Sequence, residues 1–221
     1  MSKKVAVVLS GCGFLDGAEI HESVLTLLAL DQHGAKYTCC APNVPQAGVV
    51  DHVTHKPAEG TRNVLHEAAR IARGEIVDVK SVRAADFDAL ILPGGYGAAL
   101  NLCDFAKKGA QCSVNPEIER VVGEFLAARK PIGAICIAPA VVARVAGKRG
   151  VQAKLTIGHD RGTADALAAM GCVHENRPVT EIAVDNDHRI VSTPAYMLGP
   201  GPAQVWEGIR KLVEKVLQMC A

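Results

Sequence analysis

Short apolar runs recur along this chain, separated by segments whose apolar residues repeat at helical spacing. A strand without polar alternation must be covered on both faces, so the pattern limits the chain to an α/β fold: a doubly wound, mostly parallel sheet with helices on both sides. Lys4 to Ser10 (KVAVVLS), AKYTCCAP, FDALILPGG and PIGAI read as strands, and KLTIG as a further one. EIAVDNDHRIVST reads as a hairpin turning at Asp185 to Asp187. Ile20, Val24, Leu27 and Leu28 mark the first helix, and Gly34 stands where a C-terminal cap belongs. Thr61 is expected to cap a helix carrying Val64, Leu65, Ala68 and Ala72, ended by Gly74. Asn115 as cap and Pro116 in the first turn open another, with Ile118, Val121, Val122, Phe125 and Leu126. TADALAAMG reads as a short helix stopped by Gly171, and a last helix from Ala203 to Met219 buries Val205, Ile209, Leu212, Val213, Val216 and Leu217. Residues 43–60 hold prolines and glycines without a period and read as a loop or irregular excursion. With no repeat, low-complexity tract or linker, residues 1–221 are expected to form one domain.

At 221 residues, 49% hydrophobic and 4% aromatic, the chain can build one substantial core from Ala, Val, Leu and Ile. Its formal charge is +1 and no Lys/Arg run exceeds a pair, so it lacks the concentrated positive field of a nucleic-acid binder. The apolar run after Lys3 and Lys4 stops at Ser10, too early for a secretory signal, and no membrane span is expected. The eight cysteines, at positions 12, 39, 40, 103, 112, 136, 172 and 220, form neither a CxxC pair nor a disulfide-module spacing. A reducing, cytoplasmic location is the expectation.

The stretch PIGAICIAPAVVA places Cys136 between a buried strand and a helix start. Such a junction forces a tight turn that holds a nucleophile above the sheet, and it needs small neighbours. Gly133, Ala134, Ala138 and Pro139 supply them. A thiol at a helix N-terminus is expected to have a lowered pKa, and the unpaired N–H groups there can hold an oxyanion. The alternative is a buried spacer, because free cysteine packs well in cores.

Other signals carry less. Gly11, Gly13 and Gly17 in GCGFLDG imitate a dinucleotide-binding turn, but the second strand ends in CCAP, with no acidic residue for a ribose. These glycines are expected instead to let backbone pass beside the elbow, leaving Cys12 at the pocket rim. His52, His55 and His66 lack a Cys, Asp or Glu cluster at ligand spacing, so no metal is expected. Cys39 and Cys40 read as strand residues, one pointing to each face. Tyr196 in TPAY is either a pocket residue or a structural one.

AICIAP resembles the nucleophile elbow of the PfpI-like branch of the class I glutamine amidotransferase-like superfamily, and ILPGGYGAALNL resembles its glycine turn. GAEIHE is similar to the segment carrying the acidic partner of the cysteine, and RIVSTPAYMLGPG to the end of the fold. Within that branch, SGCGFLDGAEIHESVLTLLAL resembles proteins linked to isoprenoid biosynthesis and described as glyoxalases. The likeness covers nearly the whole chain and implies a flavodoxin-like fold. It implies Cys136 as nucleophile and Glu22 as the carboxyl group bonded to it; counting back from Gly34 selects Glu22 over Glu19. It implies oxyanion donors at Gly95 and Ile137, with Gly94 beside them. Where amidotransferases carry a His and a Glu to complete a triad, this chain reads STPAYML, so glutamine hydrolysis is not expected. His159, in LTIGHD, lies near where relatives place a histidine and is the candidate base, against a solvent-exposed loop residue.

The implied activity is a cofactor-independent glyoxalase converting small dicarbonyls such as methylglyoxal or glyoxal to 2-hydroxy acids through a hemithioacetal on Cys136. The alternatives are a redox-sensing or partner-binding module using the same cysteine, and a deglycase or peptidase-like hydrolase. A small-molecule substrate and a homodimer are the expected partners.

Overall fold

The computed structural model describes residues 2–220, and the four strands expected from the apolar runs form the middle of a seven-stranded sheet. The chain opens with β1 (Lys4–Val8), α1 (Ile20–Gln32), β2 (Lys36–Ala41), β3 (Val50–Asp51), β4 (Lys56–Pro57), α2 (Val64–Ile71) and β5 (Ile76–Asp78). It continues through β6 (Ala89–Leu92), α3 (Tyr96–Leu100), α4 (Phe105–Lys108), α5 (Pro116–Ala127), β7 (Ile132–Ile135) and α6 (Pro139–Lys148). The remainder is β8 (Lys154–Leu155), α7 (Arg161–Ala169), β9 (Val173–His174), β10 (Ala183–Asp185), β11 (Ile190–Thr193) and α8 (Pro202–Met219).

The sheet order is β10-β11-β7-β6-β1-β2-β5, parallel throughout except for β10 against β11. Winding proceeds outward from β1 to β2 and β5, then restarts at β6 on the other side. The carboxyl ends of β1 and β6 therefore meet where the winding reverses, the position at which doubly wound sheets bind ligands. Successive strand residues feed opposite faces. Val5, Val7, Ala89 and Ile91 pack with Leu30 of α1 and Ile209 and Val213 of α8. Ala6, Val8, Leu90 and Leu92 pack with Ile118 and Phe125 of α5 and Val141 and Val145 of α6. Cys39 joins the first of these layers and Cys40 the second, as expected of strand neighbours.

Some local features differ from the sequence reading or are not contained in it. Residues 43–60 contain the β3–β4 hairpin, too short to leave a period in sequence. Asn63, not Thr61, caps α2, its side-chain oxygen accepting the His66 N–H. The edge strand β5 pairs with β2 through three residues, IVD, which carry no pattern of their own. KLTIG stays outside the main sheet: β8 ladders only with β9. Side chains tether it instead, Asp185 accepting the Lys154 N–H at 2.9 Å and Ser192 the Thr156 N–H at 2.8 Å. Helix α1 turns the opposite way from its apolar stripe, burying Glu22, Ser23, Thr26, Ala29 and Leu30 while Ile20, Val24 and Leu28 face solvent. Residues two apart on a helix point about 200° apart, so turning Glu22 inward turns Ile20 and Val24 outward.

Candidate active site

At the end of β7 the backbone of Cys136 takes a φ of 61°. That left-handed conformation costs a non-glycine residue about 1–3 kcal/mol and persists only where its surroundings enforce it. Here the Cys136 N–H donates to Thr193 of β11 at 2.9 Å, and the Ala138 N–H closes the turn on Ile135 at 3.0 Å before Pro139 opens α6. The elbow read from the sequence is present. It sets the thiol, 7% exposed, in the floor of a cavity of about 460 Å³. The backbone N–H groups of Gly95 and Ile137 both hydrogen-bond the Cys136 sulfur.

Glu22 comes to the same point from α1 and is fully buried. One carboxyl oxygen accepts the Gly94 N–H at 2.9 Å, the other accepts the Tyr196 N–H at 3.2 Å, and the group also hydrogen-bonds the Cys136 thiol. Glu19, the rejected alternative, instead caps α1 by accepting the Glu22 N–H at 2.6 Å, and it lines the cavity. The glycine turn after β6 makes this approach possible. A Cβ on Gly94 would strike Cys136 Cβ and stand 2.7 Å from Glu22 Oε2, while Gly95, at φ 91°, passes against the backbone of residues 17–19. Gly94 thus serves the site differently from expectation, because its N–H is committed to Glu22 and is not free for an oxyanion.

The electrostatics run against the expected thiolate. Burial, reinforced by the Glu19 carboxyl, pushes Glu22 up to about 8, over the opposing pull of its hydrogen bonds to Tyr196, Cys136 and Gly94. Burial and then the charge of Glu22 raise Cys136 well above the usual thiol value, despite the Gly95 and Ile137 N–H groups. No Lys, Arg or His lines the cavity, so nothing of fixed positive charge offsets the desolvation. Burial therefore favours the protonated form of both groups, which share a side-chain hydrogen bond.

His159 is exposed and does not line the cavity; its electrostatic neighbour is His174. The next residue, Asp160, does line it, together with Thr163. Tyr196 also lines the cavity, and its hydroxyl bonds His21 Nδ1 at 2.7 Å. Its N–H contact with Glu22 was not legible, since no sequence signal marks a main-chain donor. Cys12 lies off the cavity, its electrostatic neighbours being Glu67, Arg70, Asp16 and Arg62. The GCGFLDG loop closes on itself, Gly17 N–H to Gly13 and Gly13 N–H to Ala18, and receives the N–H groups of Tyr96 and Gly97. It packs against the glycine turn, whereas the sequence reading places it beside the elbow with Cys12 at the pocket rim. His52 stacks edge-on to Phe14 at 5.4 Å, and among the described residues no group of three or more His, Cys, Asp or Glu could hold a metal ion.

Comparison with known proteins agrees with this fold. The chain is 47% identical over 226 aligned positions to human glutamine amidotransferase-like class 1 domain-containing protein 3, mitochondrial, covering 98% of this chain and 83% of that one. It is 46% identical to the rat ES1 protein homolog, mitochondrial, with 98% and 84% covered. A solved structure of an isoprenoid biosynthesis protein with amidotransferase-like domain from Ehrlichia chaffeensis superimposes with a TM-score of 0.94 at 39% identity, covering 100% of both chains. The DJ-1/PfpI family profile matches residues 3–160, a span holding β1, the Glu22 helix, the glycine turn and the Cys136 elbow. The chain belongs to the DJ-1/PfpI family.

Proposed function

We propose that the protein is a cofactor-independent glyoxalase that converts small dicarbonyls such as methylglyoxal or glyoxal to 2-hydroxy acids. The observation that supports this most is the buried Cys136–Glu22 pair, with two N–H groups aimed at the sulfur in the floor of an apolar-walled cavity. The DJ-1/PfpI family includes glyoxalases and deglycases. In the first step the Cys136 sulfur adds to the aldehyde carbon. A C–S bond forms, the carbonyl π bond opens, and the thiol proton ends on the oxygen, which develops beside the Gly95 and Ile137 N–H groups. Glu22, as carboxylate, then takes the C–H proton of the hemithioacetal to give an enediol and returns it to the adjacent carbon. A value near 8 suits a group that must both accept and donate a proton near neutral pH. The resulting thioester is hydrolysed by water, releasing the 2-hydroxy acid and the thiol.

A redox-sensing role would call for an exposed, low-pKa thiol, whereas Cys136 is buried and raised. The eight cysteines are free, which fits a reducing compartment; the cytoplasm and the mitochondrial interior both qualify, and the human and rat relatives are described as mitochondrial. The test is product identification in D2O without glutathione. Methylglyoxal should yield lactate carrying deuterium at the carbon that Glu22 reprotonates. Stoichiometric loss of methylglyoxal into a protein adduct, with no lactate, would refute the enzyme and favour a binding role.

A further inference from the structure

The cavity over Cys136 has an unbalanced lining. The rings of Phe14, Tyr96 and Phe105 line it, and so do Glu19 and Asp160, one from the start of α1 and one from the start of α7. Both carboxyls are fixed by capping bonds, Glu19 to the Glu22 N–H and Asp160 to the Thr163 N–H at 2.8 Å. No Lys, Arg or His is among the lining residues. Groups able to become cationic stand behind the lining: His21, exposed, bonds the Tyr196 hydroxyl and faces Glu19, His52 and His55 pack edge-on to Phe14, and Lys107 follows Ala106 on α4. Arg161 points away, toward Asp165, and is almost fully exposed.

Accepting the carbonyl chemistry above, we propose that this pocket selects carbonyl compounds bearing a protonated amine on a short apolar chain, in preference to anionic carbonyls such as 2-oxo acids. Aromatic faces and carboxylates in a concave, partly dry site attract an ammonium group, and the same surface repels a carboxylate substrate. The carbonyl carbon reaches Cys136 while the ammonium group lies between Glu19 and Asp160. Burial raises Glu19, and a bound cation opposes that shift by favouring the charged carboxylate. The cation also offsets the negative environment that holds the Cys136 proton in place, so an amine-bearing substrate would help activate its own nucleophile.

The test uses thiol reagents of one reactive group and different charge: aminoethyl, methyl and sulfonatoethyl methanethiosulfonate, cationic, neutral and anionic in turn. In each, the Cys136 sulfur attacks the reagent's thiol-level sulfur, an S–S bond forms, methanesulfinate leaves and the thiol proton goes to buffer. Rates at the Cys136 peptide are read by mass spectrometry at about pH 8, well above the usual carboxylate range. They are divided by the rates for a small free thiol. The expected cation-to-anion preference is about tenfold or more, falling to near one in E19Q/D160N. Gln and Asn keep an acceptor oxygen for the two caps, so the variant retains its helix starts. A wild-type preference near one, or one that the double variant leaves unchanged, would overturn the proposal. These reagents carry no carbonyl, so the result is independent of whether the protein turns over dicarbonyls.

Discussion

The positive φ of Cys136 and the full burial of Glu22 are costs that packing elsewhere offsets, and each leaves a measurable trace. In the unfolded chain Glu22 ionises near its ordinary value of 4.5, while in the fold it holds its proton up to about 8. Between those limits the native state binds the extra proton, so its contribution to stability is full at low pH and is lost as pH rises toward 8. Glu22→Gln removes that loss. The difference in unfolding free energy between E22Q and wild type should grow by up to about 1.4 kcal/mol per pH unit across the interval and level off above it. Denaturant titrations from acid to mildly alkaline pH read this directly; a pH-independent difference would mean that Glu22 ionises normally. Gly94→Ala is expected to destabilise by about 1–3 kcal/mol, because its methyl group strikes Cys136 and crowds Glu22. It should also slow Cys136 alkylation, and an unaltered melting temperature would contradict the close approach described here. Glu22 itself was legible only through the family resemblance, in which counting back from Gly34, the helix end shared by both patterns, selects it over Glu19. The upward shift of Cys136 was not legible, because local sequence shows the helix start but not the burial or the carboxyl group arriving from 114 positions away.

At the scale of elements, α1 shows how a functional residue overrides an apolar pattern. Its stripe of Ile20, Val24 and Leu28 predicts an inward apolar face, yet the inward face is Glu22, Ser23, Thr26, Ala29 and Leu30. Ser23 and Thr26 tolerate burial by donating their hydroxyls to the Glu19 and Glu22 carbonyls, both at 2.7 Å. Leu30→Ala is therefore expected to cost about 2–5 kcal/mol, and Val24→Ala no more than about 0.5 kcal/mol. Thermal or urea unfolding of the two variants separates them, and a larger loss at Val24 would refute this orientation. Elements with long, unbroken apolar runs, β1, β6 and β7, were readable because burial on both faces leaves that mark. β5, β8 and the β3–β4 hairpin were not, since two- and three-residue strands are decided by distant partners such as β2, Asp185 and Ser192.

At the scale of the molecule, the reversal of winding between β1 and β6 gathers three distant segments. The end of β6 supplies Gly94 and Gly95, α1 supplies Glu22, and the turn after β7 supplies Cys136. A doubly wound sheet and its ligand edge followed from the strand pattern, and the elbow stood out because small residues flank Cys136 at a strand end. The histidine did not follow: a position near residue 159 depends on how β8 is tethered, and that tether leaves His159 exposed with Asp160 lining the cavity. In the proposed mechanism Cys136 and Glu22 act together on a dicarbonyl without any other reagent. The most direct measurement is the rate of methylglyoxal consumption by purified wild type, C136A and E22Q in the absence of glutathione. The expected result is steady turnover in wild type that rises with pH toward about 8, as Glu22 gains its carboxylate form, and that falls at least about a hundredfold in both variants. Turnover retained in E22Q, or none in wild type, would contradict it.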